Sequence, residues 1–226
     1  MAFLVPVELA LAILSGKPLP FVAFFFVLAI VASYFYATLR GKFVMWSGLL
    51  EELRLRGDER ILDMGCGRGA VLLLAAGHLT TGRAIGVDLW RNFDQSGNSV
   101  DATRRNAVAE GVADRVELHT ADMTALPFED NSFDLVLSNL AIHNIQGSAG
   151  REKAIDEAVR VLRPGGRLLV ADVRATRHYR ARLTKLGMSA VTHRRLGWKY
   201  WRCGLLAAIG VVAATKPANF PLGVTR

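Results

Sequence analysis

The chain has 226 residues, 51% of them hydrophobic, and a formal net charge of +8. That length is typical of one domain, and two cysteines, Cys66 and Cys203, are too few for a disulfide framework or a zinc site, so no metal is predicted. The mean hydropathy of +0.26 is high for a purely soluble protein, and the most apolar segment lies near the N-terminus.

The positive charge is concentrated in the C-terminal quarter of the chain. No Asp or Glu follows Asp172, whereas the same stretch contains eleven lysines and arginines. The rest of the chain is therefore slightly acidic. A segment with charge of one sign attracts polyanions, so its partner is either nucleic acid or an anionic membrane surface.

The N-terminal segment favours the membrane. Residues 21–39 contain no charge, and a helix of that length spans ~28 Å, enough for the hydrocarbon core of a bilayer. Arg40 and Lys42 follow at once, which by the positive-inside rule places the folded domain in the cytoplasm. We therefore expect a membrane anchor at 21–39, with a buried core helix as the alternative.

Residues 2–14 are also apolar, but Pro6 and Glu8 interrupt them. This stretch is short for a span, so an interfacial or re-entrant helix is expected, with a helical hairpin as the alternative. A cleaved signal peptide is disfavoured because no basic region precedes the apolar stretch.

The folded part begins with a predicted amphipathic helix over 43–57 and a strand over 59–63. Glycines then stand at positions 65, 67 and 69, and an apolar, helix-compatible run follows over 70–79. Glycines at this spacing allow a tight turn and a close approach of a ligand to the backbone. The start of the following helix points free N–H groups at whatever is bound there.

A Gly-x-Gly-x-Gly loop alone is a weak signal, but the next strand strengthens it. That strand ends at Asp88, 25 residues after Asp63. In doubly wound folds an acid at this position holds the ribose of a nucleoside. The two acids therefore predict a nucleoside-containing ligand, in a pattern that dehydrogenases and methyltransferases share.

Strands and helices alternate through the remainder of the chain, which predicts a parallel, doubly wound sheet. Pro164, Gly165 and Gly166 are expected to form a turn. Helices are predicted over 100–110, 151–162 and 179–186, and strands over 116–120, 133–137, 168–171, 188–196 and 211–216.

Four blocks of the sequence are DMGCGRG at 63–69, GVDLW at 86–90, TADMTALPFEDNSFDLVLSNLAIHNI at 120–145 and RVLRPGGRLLVADV at 160–173. In their order and spacing the chain resembles the class I S-adenosylmethionine-dependent methyltransferases. Within that family it is most similar to the branch that methylates quinones, sterols and other small or lipidic molecules.

The resemblance implies an α/β fold with a doubly wound, seven-stranded, Rossmann-like sheet that an antiparallel hairpin closes. Together with the anchor, it predicts three parts of the chain. These are an N-terminal membrane segment at 1–42 that contains a transmembrane helix, a methyltransferase domain at 43–218 and a tail at 219–226.

The resemblance also implies S-adenosyl-L-methionine as the cofactor and S-adenosyl-L-homocysteine as its product. By this resemblance, Asp63 orients the cationic methionine end, Asp88 binds the ribose hydroxyls, and Asp122 accepts from the adenine amino group. The full set of predicted cofactor-binding residues is Asp63, Gly65, Cys66, Gly67, Gly69, Asp88, Leu89, Asp122, Met123 and Asn139.

His143, just past the fourth strand, is the candidate for proton handling. The carboxyl ends of strands bind ligands in such sheets, and histidine accepts a proton near neutral pH. The alternative is a histidine that only orients its loop by hydrogen bonding. Cys66 is expected to pack in the glycine loop and not to act as a catalytic thiol. The candidate substrate contacts are Trp46, Trp90, Asn98 and Asn144.

The sequence therefore predicts a membrane-anchored methyltransferase that faces the cytoplasm and acts on a small or lipid-soluble acceptor. A nucleic-acid or protein substrate bound by the basic tail is less favoured. The chain lacks the Asn-Pro-Pro-aromatic tetrapeptide of enzymes that methylate base nitrogens, and Ser138-Asn139-Leu140 stands there instead. A non-catalytic scaffold that binds S-adenosylmethionine is a third alternative. Aromatic and cationic residues mixed over 197–210 suit a membrane interface or single-stranded RNA.

Overall fold

A computed structural model describes residues 18–36, 40–91, 97–196 and 209–220. The described residues fall into two compact units, one that contains an N-terminal helix and one that begins at Phe43. Several predictions lie outside the described residues. They concern the apolar stretch at 2–14, the aromatic and cationic segment at 197–208, and the tail from residue 221.

The N-terminal unit contains helix α1 (Pro18–Tyr36). Within the described residues, no helix combines the length and the apolar character that a membrane crossing requires. The predicted span runs to Leu39, and its last three residues lie outside the described part of the chain. The predicted transmembrane helix is therefore not found, and the prediction of a membrane-anchored protein is wrong.

The second unit contains the remaining elements. Its helices are α2 (Lys42–Leu53), α3 (Ala70–Gly77), α4 (Val100–Ala109), α5 (Gly147–Val161) and α6 (Thr176–Lys185). Its strands are β1 (Arg60–Met64), β2 (Arg83–Asp88), β3 (Val116–Thr120), β4 (Phe133–Asn139), β5 (Leu162–Asp172), β6 (Ser189–Arg195) and β7 (Gly210–Thr215). Short 3-10 turns at Ala113–Arg115 and Ile142–Asn144 complete the unit.

The seven strands form one sheet in the order β3-β2-β1-β4-β5-β7-β6. Strands β1 to β5 are parallel, and β7 runs antiparallel to both β5 and β6. The predicted seven-stranded, doubly wound arrangement with a closing hairpin is confirmed. Since the carboxyl ends of the parallel strands meet at one edge, side chains that lie far apart in the sequence meet there.

The core follows from the apolar runs of the central strands. Leu62, Ile85, Val136 and Val170 are almost fully buried in one cluster with the inner faces of α5 and α6. A parallel sheet covered on both faces requires such continuous apolar strands. The carboxyl edge of the sheet is therefore a rigid support for the polar residues that end the strands.

Strand β5 differs from the prediction. It begins at Leu162 and continues through the predicted turn at Pro164–Gly166. Gly165 N–H donates to the Lys216 carbonyl at 2.7 Å, and Lys216 N–H donates to the Gly166 carbonyl at 2.9 Å. Backbone pairing just beyond the end of β7 therefore continues through the two glycines, but Gly165 has a φ of +80° and the pairing with β4 shifts register here, so a bulge interrupts the strand where the turn is predicted.

Arg160, in the last turn of α5, fixes the segment between β3 and β4. Its guanidinium donates to the carbonyls of Leu126 at 3.0 Å and Phe128 at 2.8 Å, and to the Glu157 carboxylate at 2.7 and 2.8 Å. The Glu157 carboxylate also accepts from Leu126 N–H at 2.7 Å. Arg160 therefore fixes the course of this segment where it leads into the start of β4.

We expect Arg160→Met to lower the free energy of unfolding by about 2–4 kcal/mol, because a mostly buried carboxylate and two carbonyls lose their donor. Equilibrium denaturation in urea measures this loss. Arg104→Met is the matched control, since Arg104 pairs with Asp101 on an exposed helix surface, where such pairs contribute about 0–1 kcal/mol. Equal losses in the two variants would contradict the role given to Arg160.

Candidate active site

Four polar side chains end the central strands at the carboxyl edge of the sheet. Asp63 lies at the end of β1, Asp88 ends β2, Asn139 ends β4 and Asp172 ends β5. Each follows an apolar run that is fixed in the core. The sequence predicted the first three of these as cofactor contacts, and the structure brings all four to the same edge.

The glycine loop is held against β2. The Gly65 and Cys66 N–H groups both donate to the Val87 carbonyl, at 2.8 and 3.1 Å. Gly65 has a φ of +74°, and a Cβ placed there would overlap the Cβ of Ala141, in the loop after β4. Only glycine adopts this positive φ without strain and also lacks the Cβ that would clash with Ala141. The glycine loop and the loop after β4 are therefore in direct contact.

The Asp88 carboxylate organises the start of the neighbouring loop. It accepts from Gly67 N–H at 2.9 Å, from Trp90 N–H at 2.7 Å and from Asn98 Nδ2 at 3.3 Å. Asn98 is buried, so this predicted substrate contact is placed as a support for Asp88. The loop residues 92–96 lie outside the described part of the chain.

Asp63 is a buried carboxylate without full compensation. Both of its oxygens are buried, and within the described residues neither has a partner at full hydrogen-bond geometry. Burial raises the pKa of Asp63 to about 7, the nearby Leu72 N–H offsets this only in part, and the negative charge of Asp88 adds to the rise. A cationic ligand group at this position would supply the missing partner, which fits the predicted contact with the methionine end of S-adenosylmethionine.

The predicted adenine side of the site lies beyond β2 and β3. The Trp90 indole N–H donates to Thr120 Oγ1 at 2.8 Å, which fixes the ring across the ends of these strands. Asp122 accepts from the Thr124 N–H and hydroxyl at 2.8 and 2.9 Å. The Met123 methyl group lies over Gly65.

His143 belongs to a buried group that the sequence did not reveal. Its Nδ1 lies 2.6 Å from Oδ1 of Asp172, a close contact whose angles fall outside those of a hydrogen bond. The backbone N–H of His143 donates to Oδ2 of the same carboxylate at 3.1 Å. The Tyr179 hydroxyl donates to the same oxygen at 3.2 Å. Burial and the Asp172 charge raise the pKa of Tyr179, so the hydroxyl stays protonated as a donor.

Asp172 and Tyr179 are therefore functional candidates that were missed. One signal for Asp172 was available, because it ends the apolar run of the fifth strand as Asp88 ends that of the second. Tyr179 carries no such signal. Its role depends on α6 packing back against the end of β5.

The remaining predicted residues have varied surroundings. Trp46 is fully buried, and its indole nitrogen has no partner within the described ranges. Asn139 Oδ1 is likewise buried without a partner there, whereas Asn144 and Leu89 are exposed. Burial raises the pKa of the Cys66 thiol, and the negative charges of nearby acids raise it further. A thiol of this kind is inert, as expected for a packing residue.

Comparison with known proteins defines the class. Residues 62–170 match the family model described as a methyltransferase domain. A ubiquinone/menaquinone biosynthesis C-methyltransferase UbiE of Roseobacter denitrificans is 33% identical over 129 residues, 57% of this chain and 48% of the relative. A 27-O-demethylrifamycin SV methyltransferase of Amycolatopsis mediterranei is 37% identical over 123 residues, 53% of this chain and 40% of the relative.

The solved structures agree on the fold. A geranyl diphosphate methyltransferase in complex with S-adenosylmethionine superposes with a TM-score of 0.62 at 18% identity, over 77% of this chain and 85% of the other. The present chain spans less than half the length of the curated relatives it matches. Residues 62–170 therefore form a methyltransferase domain. The predictions of an S-adenosylmethionine-dependent methyltransferase and of its cofactor are confirmed for this domain.

An Asp63→Asn variant measures how much the buried carboxylate destabilises the fold, independently of its proposed role in cofactor binding. The pKa of Asp63 is about 7 in the folded chain and about 4 in an unfolded one, so stability falls as the pH rises between these values. We expect cofactor-free Asp63→Asn to exceed the wild-type protein in free energy of unfolding by about 1–4 kcal/mol at pH 8, with no gain at pH 4. Urea denaturation at the two pH values tests this, and an exposed control, Asp101→Asn, should show no gain.

The same carboxylate makes cofactor binding depend on pH. A cationic ligand group requires ionised Asp63, so affinity for S-adenosylhomocysteine should rise about tenfold per pH unit below 7 and level off above it. Isothermal titration calorimetry from pH 5.5 to 8.5 gives the profile. Asp63→Asn should bind more weakly at pH 8 and lose this dependence. Identical profiles for the two proteins would remove Asp63 from the binding site.

Proposed function

We propose that the protein is a small-molecule methyltransferase in which His143, held by Asp172, removes a proton from the acceptor. The observation that carries this proposal is the contact of the His143 ring with the Asp172 carboxylate. This pair lies at the carboxyl edge of the sheet. Ala141, two residues before His143, contacts the glycine loop that is expected to hold the cofactor.

Asp63, Asp88 and the glycine loop are proposed to bind the cofactor. S-adenosylmethionine, when bound, supplies a methyl group on a positively charged sulfur. Asp63 would compensate the cationic methionine end, and Asp88 would exchange part of its loop contacts for the ribose hydroxyls. The protein then has to position the acceptor, exclude water and remove a proton.

The position of Asp172 supports Nε2 of His143 as the proposed base. A carboxylate beside Nδ1 favours the tautomer with its proton on Nδ1, which leaves Nε2 free to accept a proton. The His143 side chain is only 16% exposed, so the proton is transferred in a site with little water. Burial of the whole Asp172 side chain keeps this orientation fixed.

The proposed acceptor is a small or lipid-soluble molecule with a weakly acidic hydroxyl or an activated carbon. A histidine base near neutral pH suits such a group. The names of the two relatives, a quinone-pathway C-methyltransferase and a demethylrifamycin methyltransferase, support an acceptor of this size.

The experiment that tests the activity uses methyl-labelled S-adenosylmethionine, the full-length protein and two cell extracts, one organic and one aqueous. Label in a product of low molecular mass supports the proposal and gives a molecule to identify. Label only in macromolecules would overturn the choice of acceptor. No transfer, with cofactor binding confirmed by calorimetry, would favour a non-catalytic binding protein.

We expect His143→Ala and Asp172→Asn each to lower kcat by about 10²-fold or more, because a positioned base contributes that much. Affinity for S-adenosylhomocysteine should change less than about twofold. Tyr179→Phe should lower kcat less and shift the pH profile, since Tyr179 only orients Asp172. The matched control is His119→Ala, which removes a histidine paired with Glu117 on the edge strand β3. Full activity in His143→Ala would leave this histidine as packing.

A further inference from the structure

Three arginines near the candidate active site lack acidic partners within the described residues. Arg177 and Arg180 lie on α6 and Arg195 ends β6, and all three are exposed. Other arginines of the same region are paired, Arg182 with Asp156 at 2.6 Å and Arg194 with Glu52 at 2.6 Å. We call Arg177, Arg180 and Arg195 the arginine cluster.

The cationic side chains on one side of α6 pair with acids, whereas those on another side do not. His178 and Arg182 pair with Glu152 and Asp156 of α5, at 2.8 and 2.6 Å. Tyr179 and Leu183 are fully buried. Arg177 and Arg180, three positions apart and therefore neighbours on the helix surface, are left without such acids.

His193 on β6 shows that the cluster converges. Its Nε2 lies 3.0 Å from Thr176 Oγ1, which joins β6 to the start of α6. Burial lowers the pKa of this imidazole, and the positive charges of Arg177, Arg180 and Arg195 lower it further. The contact of His193 with Thr176 brings the end of β6, with Arg195, beside the first turns of α6, with Arg177 and Arg180.

The register of the sheet places this point relative to the proposed base. Gly210 of β7 lies opposite Asp172 on one side and opposite Arg195 on the other. Neighbouring strands are about 4.8 Å apart, so Arg195 lies about 10 Å from Asp172 across the sheet. A Cβ on Gly210 would lie 3.1 Å from His193 Nε2, so this imidazole lies directly over the intervening strand.

We propose that the arginine cluster binds a phosphate or diphosphate group of the acceptor, on the same edge of the sheet as the His143–Asp172 pair. Guanidinium groups match the oxygens of phosphate in paired hydrogen bonds. A single carboxylate pairs with one guanidinium group. Guanidinium groups from both α6 and β6 instead suit an anion with several oxygens, such as phosphate or diphosphate. This inference rests on the proposed methyltransferase function, because it assigns the second recognition point of the same acceptor.

Calorimetry with inorganic pyrophosphate and the full-length protein tests the site without turnover. Arg177→Gln and Arg195→Gln should each raise the Kd about tenfold, the effect of losing one charge-assisted contact. Arg105→Gln is the matched control, since Arg105 is an exposed arginine on α4 without an ion pair in the described ranges. It should change the Kd less than about twofold. Equal effects in all three variants, or none, would overturn the inference.

A second measurement uses the extracts of the labelling experiment after treatment with phosphatase. Transfer of label should fall at least about tenfold, because the acceptor loses its anion. Unchanged transfer would overturn the inference while leaving the methyltransferase proposal in place. If untreated extracts accept no label, the methyltransferase proposal fails, and the pyrophosphate titration alone decides the site. Binding of RNA or anionic vesicles that depends on the cluster, without competition by pyrophosphate, would also overturn it.

Discussion

The glycine loop is fixed by the second strand, and the rest of the site depends on this contact. The Gly65 and Cys66 N–H groups share the Val87 carbonyl, and Gly67 N–H donates to Asp88. These bonds fix the ends of β1 and β2 relative to each other before any ligand arrives. Since these bonds form without a ligand, the proposed cofactor site would need little further ordering on binding. The same rigidity keeps Asp63 buried, with no partner at full hydrogen-bond geometry among the described residues.

The Asp172 carboxylate, at the end of β5, likewise holds neighbouring elements together at the carboxyl edge of the sheet. It accepts from the His143 and Val173 N–H groups and from the Tyr179 hydroxyl. A buried carboxylate that satisfies several donors is costly to disturb, because each donor would lose its partner. The loop after β4 and helix α6 are therefore coupled through one side chain. Movement of α6 would change both the orientation of His143 and the position of the arginine cluster.

The sequence predicted those features that depend on local spacing. The glycine loop, the acids Asp63 and Asp88 and the alternation of strands and helices all follow from residues close together in the chain. The contact of His143 with Asp172 spans 29 positions and exists only because β4 and β5 are neighbours. The extension of β5 depends on Lys216, more than fifty residues away. The membrane prediction was wrong because it rested on an uncharged run alone, whereas no helix of the described residues is long and apolar enough to cross a membrane.

The neutral form of Asp63 has a consequence for how the cofactor is exchanged. Near pH 7 about half of the empty protein carries a proton on this carboxyl group. If a cationic ligand requires the ionised form, each such molecule releases that proton into the buffer as the ligand enters, and recovers it when the site empties. The heat of binding would then include the ionisation of the buffer, so that phosphate and Tris solutions of equal pH would give different enthalpies for the same complex.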